Sequence, residues 1–456
     1  MLCDPTIFRE YDIRGKFNID FDLVLAKKLG QAFAIFCKES SSDSSQVKIA
    51  LGKDARHSSQ PILEALSEGI RSVGGDILDL GLITSPICYF SGFHIDDLTG
   101  SIMVTGSHNP PEYNGFKISV GKNTLTSERI QKLKDYVFSD ISEVEKKGSS
   151  AAFDILTPYV ERIGSEFNFS DFPFVVDCGN GAAGSVAKRL YQACGLNPTI
   201  LFEKPDGDFP NHHPDPTLEE NLIDLKKAVL ESKAKFGVGY DGDADRIVIV
   251  SETGKTIYAD ELMSIYAYSV LQEHPGAEIV GDVKCSQEYF ELLKKWGARP
   301  VMWKTGHSLI KNKVKSLKSP FGGEFSGHIF FADRFYGFDD ALYCSLRLIE
   351  IMNKTGSSVT QLLSEFPKTF STPEIRIEVG EEKKYKMVEK YKSAIKEHCV
   401  SLIDTDGVRA HFEDGWALVR VSNTQPSITL RFEAKSEQNL NKIKEQAYSI
   451  LELKPD

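Results

Sequence analysis

At 456 residues the chain is too long for one typical domain, and its 41% hydrophobic and 26% charged residues are ordinary for a globular protein. The formal net charge of −11 opposes nucleic acid and anionic membrane, so an anionic ligand must be held by locally placed cations. No apolar run approaches the roughly 18 residues of a spanning helix, Met1-Leu2-Cys3-Asp4-Pro5 does not read as a secretory leader, and eight scattered cysteines without a CxxC pair suit reduced thiols in a cytoplasm.

In chain order, three stretches share one grammar: an apolar strand, a polar loop, a short amphipathic helix, a glycine and another strand. The first has a strand at 47–51, the loop Gly52-Lys53-Asp54-Ala55-Arg56, and a helix with Ile62, Leu66, Ile70 and Val73 on one face before Gly74-Gly75. The second has a strand at 174–176, a loop over 177–184, a helix through Leu190, Gly195, and a strand at 199–201. The third has a strand at 278–280, a loop over 281–286, a helix carrying Tyr289, Leu293 and Trp296, and Gly297. Such repeats predict mostly parallel sheets, with function gathered at the carboxyl ends of the strands. The style then changes to a small α+β unit. It has a strand at 374–379, a helix at 384–398, strands near 408–412, 416–421 and 428–434, and a last helix at 438–451. Seams are expected at 146–150, 251–255 and 367–373, and the serine-rich run 39–45 reads as a solvated loop.

Four segments carry chemistry. Asp241-Gly242-Asp243-Ala244-Asp245-Arg246 follows an apolar run, and its small residues let the three carboxylates reach one hard cation such as Mg²⁺. A solvated acidic turn is the bland reading. An EF-hand is excluded, because Arg246 stands where that loop needs glycine and 247–250 reads as a strand. Thr105-Gly106-Ser107-His108-Asn109-Pro110 is an ordinary turn alone, but a phosphorylated Ser107 beside a metal would add an anionic ligand. Gly322-Gly323-Glu324-Phe325-Ser326-Gly327-His328 places an acceptor and a hydroxyl two residues apart, which suits adjacent sugar hydroxyls; alone it is a common glycine-rich loop. Arg420-Val421-Ser422-Asn423-Thr424-Gln425-Pro426-Ser427, between two strands, is either a phosphate cradle or a hairpin turn with a solvated arginine. Gly179-Asn180-Gly181-Ala182-Ala183-Gly184 matches the dinucleotide fingerprint, yet Asp177 before it would oppose a pyrophosphate, so it reads as a close-packed strand-to-helix turn.

These four segments, in this order and spacing, resemble the α-D-phosphohexomutase superfamily, and most closely its bacterial phosphomannomutase/phosphoglucomutase branch. The likeness runs from Phe8-Arg9-Glu10-Tyr11-Asp12-Ile13-Arg14-Gly15 to the carboxyl terminus. It implies an α/β fold of three related mixed-sheet domains plus a smaller C-terminal α+β domain around a central cleft, here 1–151, 152–254, 255–368 and 369–456. By the resemblance Ser107 is the phosphoryl carrier and, with Asp241, Asp243 and Asp245, a Mg²⁺ ligand. Arg14, His108, Lys117, Arg246 and His307 are implied as catalytic. Lys284, Glu324, Ser326, His328, Arg420, Ser422, Asn423 and Thr424 are implied as substrate-binding, Glu324 and Ser326 on O3 and O4 and the last four on the non-reacting phosphate.

The implied reaction interconverts hexose 1-phosphate and hexose 6-phosphate through phosphoserine. A hexose 1,6-bisphosphate serves as intermediate and activator and turns over while a mobile fourth domain holds it. The partner is a small phosphosugar, with no nucleic acid and no membrane, and a cytoplasmic monomer is expected. Phe325 stands where this branch commonly carries methionine, which leaves the choice of mannose or glucose open. The glucosamine-phosphate branch is disfavoured by the Thr105-Gly106-Ser107-His108-Asn109-Pro110 form. Two rivals remain at the level of sequence: a haloacid-dehalogenase-like phosphatase that phosphorylates Asp241, and a non-catalytic sugar-phosphate-binding protein.

Overall fold

The computed structural model describes residues 2–40, 46–422 and 426–453. Two compact units emerge, one of Met1–Leu262 with Ser326–Leu362, the other of Met263–Phe325 with Leu363–Asp456.

In the first unit, one sheet runs in the order Ile13–Lys16, Tyr113–Val120, Gly100–Val104, Lys48–Lys53, Asp76–Leu82, Ser150–Ala152. Its last four strands are parallel and its first two pair antiparallel, so the sheet is mixed. The helix Leu23–Ser40 crosses the helix Ser59–Ser72 at two glycines. A Cβ at Gly30 would stand 2.4 Å from the Leu66 carbonyl oxygen, and one at Gly69 2.0 Å from that of Lys27. Ile62, Leu66 and Ile70 face the core as their spacing predicts.

A second mixed sheet has the order Thr256–Ile257, Ile247–Ser251, Phe236–Tyr240, Val175–Asp177, Thr199–Leu201. Its central strand Phe236–Tyr240 is buried throughout, as a run covered on both faces must be. Asp241 begins where that strand ends, so the acidic loop springs from a carboxyl edge.

In the second unit, Glu278–Asp282 lies between Arg299–Trp303 and Phe321–Gly323, all parallel. The C-terminal sheet is antiparallel, in the order Phe370–Ser371, Ser427–Ala434, Gly415–Val421, Val408–Phe412, Ser401–Ile403, with Ile375–Glu378 also on Ser427–Ala434. The helices Glu381–Ile395 and Glu437–Leu451 close its core through Tyr391, Ile395, Ala447 and Leu451.

Two expected seams are structured. The stretch 251–255 is the turn of a hairpin joining Ile247–Ser251 to Thr256–Ile257, with Gly254 at φ 80°. At 146–150, Ser150 already pairs with Ile77, and Gly148 packs on the Gly75 carbonyl with no room for a Cβ. In the serine-rich run, Glu39 and Ser40 end a helix, while 41–45 lie outside the described residues.

Candidate active site

Ser107 leaves the carboxyl end of Gly100–Val104 with φ 51°, a left-handed conformation that points its hydroxyl inward. The loop is held from behind by Arg56, whose guanidinium donates to the carbonyls of Ser107 (2.8 Å), Asn109 (2.5 Å), Pro110 (2.6 Å) and Tyr113 (3.0 Å). Asp54 orients that guanidinium at 3.2 Å and also accepts from the Thr105 hydroxyl at 2.8 Å. A planar fork with five donors suits this wrapping as an ammonium would not.

The Ser107 Oγ donates to Asp241 Oδ2 at 2.8 Å and lies 3.1 Å from His108 Nδ1. Asp241 Oδ1 accepts from the N–H groups of Asp245 and Arg246, each at 3.1 Å, and Ala244 at φ 57° completes the curl. Asp241, Asp243 and Asp245 are each 0% exposed, and each offers an oxygen within 4.8 Å of the others. The second loop touches the first directly: a Cβ at Gly242 would stand 2.4 Å from the Ser107 carbonyl oxygen.

Three buried carboxylates at this spacing cannot all stay charged unaided. Lys117, from Tyr113–Val120, donates to Asp243 Oδ2 at 2.6 Å and to Asp245 Oδ2. Burial would lower the Lys117 ammonium, but Asp243, Asp245 and Asp241 outweigh it and hold it above its ordinary value. Burial would likewise raise Asp243, but Lys117 and the Ser85 hydroxyl at 2.5 Å hold it below the usual carboxylate range. Asp241 takes the opposite course: burial, then Asp243 and Asp245, push it well up. Asp243 Oδ1 and Asp245 Oδ1 accept no hydrogen bond. An all-oxygen set with such open lone pairs could hold a hard metal ion.

Arg14 donates to Asn109 Oδ1 at 3.0 Å and to Asp12 at 2.6 Å, placing its guanidinium beside the serine loop. Arg246 Nε donates to His328 Nε2 at 3.0 Å, which leaves His328 Nδ1–H to face Asp339 Oδ2 at 2.9 Å, with Asp245 Oδ1 at 3.5 Å. Thus Ser107, Arg14, His108, Lys117, Arg246, His328 and the three aspartates gather in the first unit.

In the second unit, Lys284 follows Glu278–Asp282, its ammonium 3.1 Å from Glu374 Oε2. His307 opens the helix His307–Leu317 after Gly306 at φ 138°, and the Gly306 N–H donates to Glu324 Oε1. Glu324 follows the strand Phe321–Gly323 in this unit, whereas half-buried Ser326, two residues later, belongs to the first. Arg420 is paired with Asp406 at 3.0 Å, whose carboxylate also accepts from the Thr305 N–H at 3.0 Å; the Ser422 carbonyl accepts from Lys384 at 3.0 Å. Asn423 and Thr424 lie outside the described residues.

Arg56, Asp54 and Ser85 were not singled out by sequence, nor was His213, whose Nε2 donates to the His108 carbonyl at 2.5 Å. Asp54-Ala55-Arg56 at the carboxyl end of a strand was the available signal.

Comparison with known proteins finds likenesses over almost the whole chain. Four family models described as phosphoglucomutase/phosphomannomutase match: alpha/beta/alpha domain I at 5–143, domain II at 157–254, domain III at 258–370 and the C-terminal domain at 374–450. A phosphomannomutase/phosphoglucomutase of Pseudomonas syringae pv. tomato is 40% identical over 97% of this chain and 94% of its own length. A phosphoglucomutase of Neisseria gonorrhoeae is 37% identical over 98% and 97%. A crystal structure of a phosphoglucomutase/phosphomannomutase family protein from Burkholderia thailandensis superposes with a TM-score of 0.91 at 36% identity, covering 100% of this chain and 99% of that one.

Proposed function

Because the chain belongs to the phosphoglucomutase/phosphomannomutase family, we propose that it interconverts hexose 1-phosphate and hexose 6-phosphate, of mannose, glucose or both, with Ser107 as the phosphoryl carrier. The observation that carries the assignment of Ser107 is its hydroxyl bonded at 2.8 Å to one of three buried, clustered carboxylates. Asp241, Asp243 and Asp245 with the Ser107 oxygen would hold Mg²⁺, which supplies positive charge against the oxygens of the transferring group. Arg14, Lys117 and Arg246 surround that point with cations fixed by carboxylates, amides or rings, and His108 Nδ1 at 3.1 Å is placed to exchange a proton at Oγ. His328, braced by Asp339, and Lys284 and His307 complete the substrate contacts and cations of the reading.

Glu324 and Ser326 serve the O3 and O4 hydroxyls, and Arg420, Ser422, Asn423 and Thr424 serve the far phosphate. A hexose 1,6-bisphosphate is the intermediate and activator: phosphoserine gives its group to the free hydroxyl, the bisphosphate turns over, and the other phosphate returns to Ser107. Free thiols at all eight cysteines support a cytoplasmic setting, and among the described residues no helix is long and apolar enough to cross a membrane.

The test is turnover of glucose 1-phosphate and mannose 1-phosphate with Mg²⁺ and a trace of hexose 1,6-bisphosphate. Isomerised sugar phosphate that disappears in Ser107→Ala is expected. Released inorganic phosphate that survives Ser107→Ala would instead favour an Asp241 phosphatase, and saturable binding without turnover a non-catalytic binder.

A further inference from the structure

The loop that carries Lys284 is gripped from the C-terminal sheet by side chains that the sugar chemistry does not itself require. Arg409, 0% exposed on Val408–Phe412, donates to the carbonyls of Val283 at 2.6 Å and Cys285 at 2.7 Å and lies 3.8 Å over the Trp416 ring. Glu433 accepts from the Ser286 hydroxyl at 2.8 Å, the Gln287 N–H at 3.1 Å and Trp416 Nε1 at 2.9 Å. Between them, Arg431 on Ser427–Ala434 donates to the Lys284 carbonyl, and its guanidinium lies 3.6 Å over the ring of Phe325, the neighbour of Glu324. Arg431 is 3% exposed, so its charge is shielded from water and the stacking is at its strongest.

One planar side chain therefore touches the backbone of Lys284 and the residue beside Glu324. We infer that Arg431 is a positioning residue for sugar recognition: it sets Glu324 and Lys284 at a fixed separation by holding Phe325 through its face and Lys284 through its carbonyl. The inference rests on the reading of Glu324 and Lys284 as substrate contacts. A lysine cannot replace it, because an ammonium has no plane to lay on the ring while its donors reach a carbonyl.

The test uses the full chain as Arg431→Gln, Arg431→Lys, Phe325→Leu and the double variant R431Q/F325L. Steady-state kinetics with glucose 1-phosphate and hydrogen exchange of the ligand-free protein are read together. A buried cation–π contact predicts a rise in KM of about five- to tenfold in each single variant, with kcat changed by less than about twofold. The double variant should be no worse than R431Q, since both break one contact, and exchange should quicken at 321–325 in every variant. A KM that stays at the wild-type value, single effects that multiply in the double variant, or unchanged exchange at 321–325 overturns the inference; so does a fall in melting temperature with no change in KM. Should R431Q fail to fold, F325L keeps the charge and decides alone. If the wild type turns over neither glucose 1-phosphate nor mannose 1-phosphate, the function reading fails, while the exchange at 321–325 still decides whether Arg431 sets that loop; if it turns over only mannose 1-phosphate, the kinetics are read with that sugar.

Discussion

Gly242 lies between two carboxylates, and it is the backbone of Ser107 that forbids a side chain there, with 2.4 Å left for a Cβ. The two loops meet main chain to main chain, so the Ser107–Asp241 distance depends on that missing methyl. Gly242→Ala should cost about 1–3 kcal/mol by overpacking and lower kcat by about a hundredfold through misplacement of the serine. Urea titration and steady-state kinetics read the two effects separately; equal kcat in the variant would show that the approach is not needed. Lys117 poses the converse problem. Replacing it by Met leaves Asp243 and Asp245 buried beside Asp241 without their cation, at an expected cost of about 3 kcal/mol in EDTA. On the proposed reading, Mg²⁺ would bind only the folded triad and should raise the melting temperature more in Lys117→Met than in the wild type. Equal shifts would mean that the metal sits elsewhere.

At the scale of elements, the helices and strands with clear periodicity were legible and the tertiary braces were not. The strands at 199–201 and 408–412 fall where alternation and length put them, as Thr199–Leu201 and Val408–Phe412. The strand expected at 278–280 runs on to Asp282, a charged residue that propensity argues against. Its carboxylate is satisfied by the Thr305 hydroxyl at 2.9 Å and the Phe325 N–H at 3.2 Å, partners that only the folded chain supplies. Ser107, the aspartates and Glu324 were readable as candidates because chemistry restricts residue type there. The segment Asn211-His212-His213-Pro214-Asp215 was not, for it has no period and reads as a polar loop. It is a buttress: His212 Nε2 lies 3.1 Å from Asp177 Oδ2, and His213 holds the His108 carbonyl. His213→Ala should lower kcat by about tenfold with a smaller change in KM, and His213→Gln, which keeps a donor near Nε2, should recover part of it. If Gln does no better than Ala, the hydrogen bond is not what positions the loop.

At the scale of the whole molecule, one titratable group in each unit, Asp340 and His411, contributes a pH dependence, and the two are of opposite sign. Asp340 in the first unit is fully buried at the start of the helix Ala341–Thr355, where it accepts from the Tyr343 N–H and the Tyr159 hydroxyl. Burial, with Asp339 adding to it, still pushes its carboxyl from 3.8 up to about 7. Across that window the folded chain keeps a proton that the unfolded chain has lost, so stability falls as pH rises. His411 in the second unit is lowered from 6.5 to about 4 by burial and by Arg409, with Glu291 opposing and Lys294 assisting. There the unfolded chain takes the proton first, so stability is full above the unfolded value and is lost as pH falls. Asp340→Asn, which keeps the cap, should gain on the order of 2 kcal/mol near pH 8 and less near pH 5. His411→Asn should gain about 1 kcal/mol near pH 5, a figure discounted for the part of the ring that water reaches, and nothing near pH 8. Urea unfolding of both variants at the two pH values checks the signs. A gain for Asp340→Asn confined to acid, or for His411→Asn confined to alkali, would mean that other groups set the acid and alkaline limits of this fold.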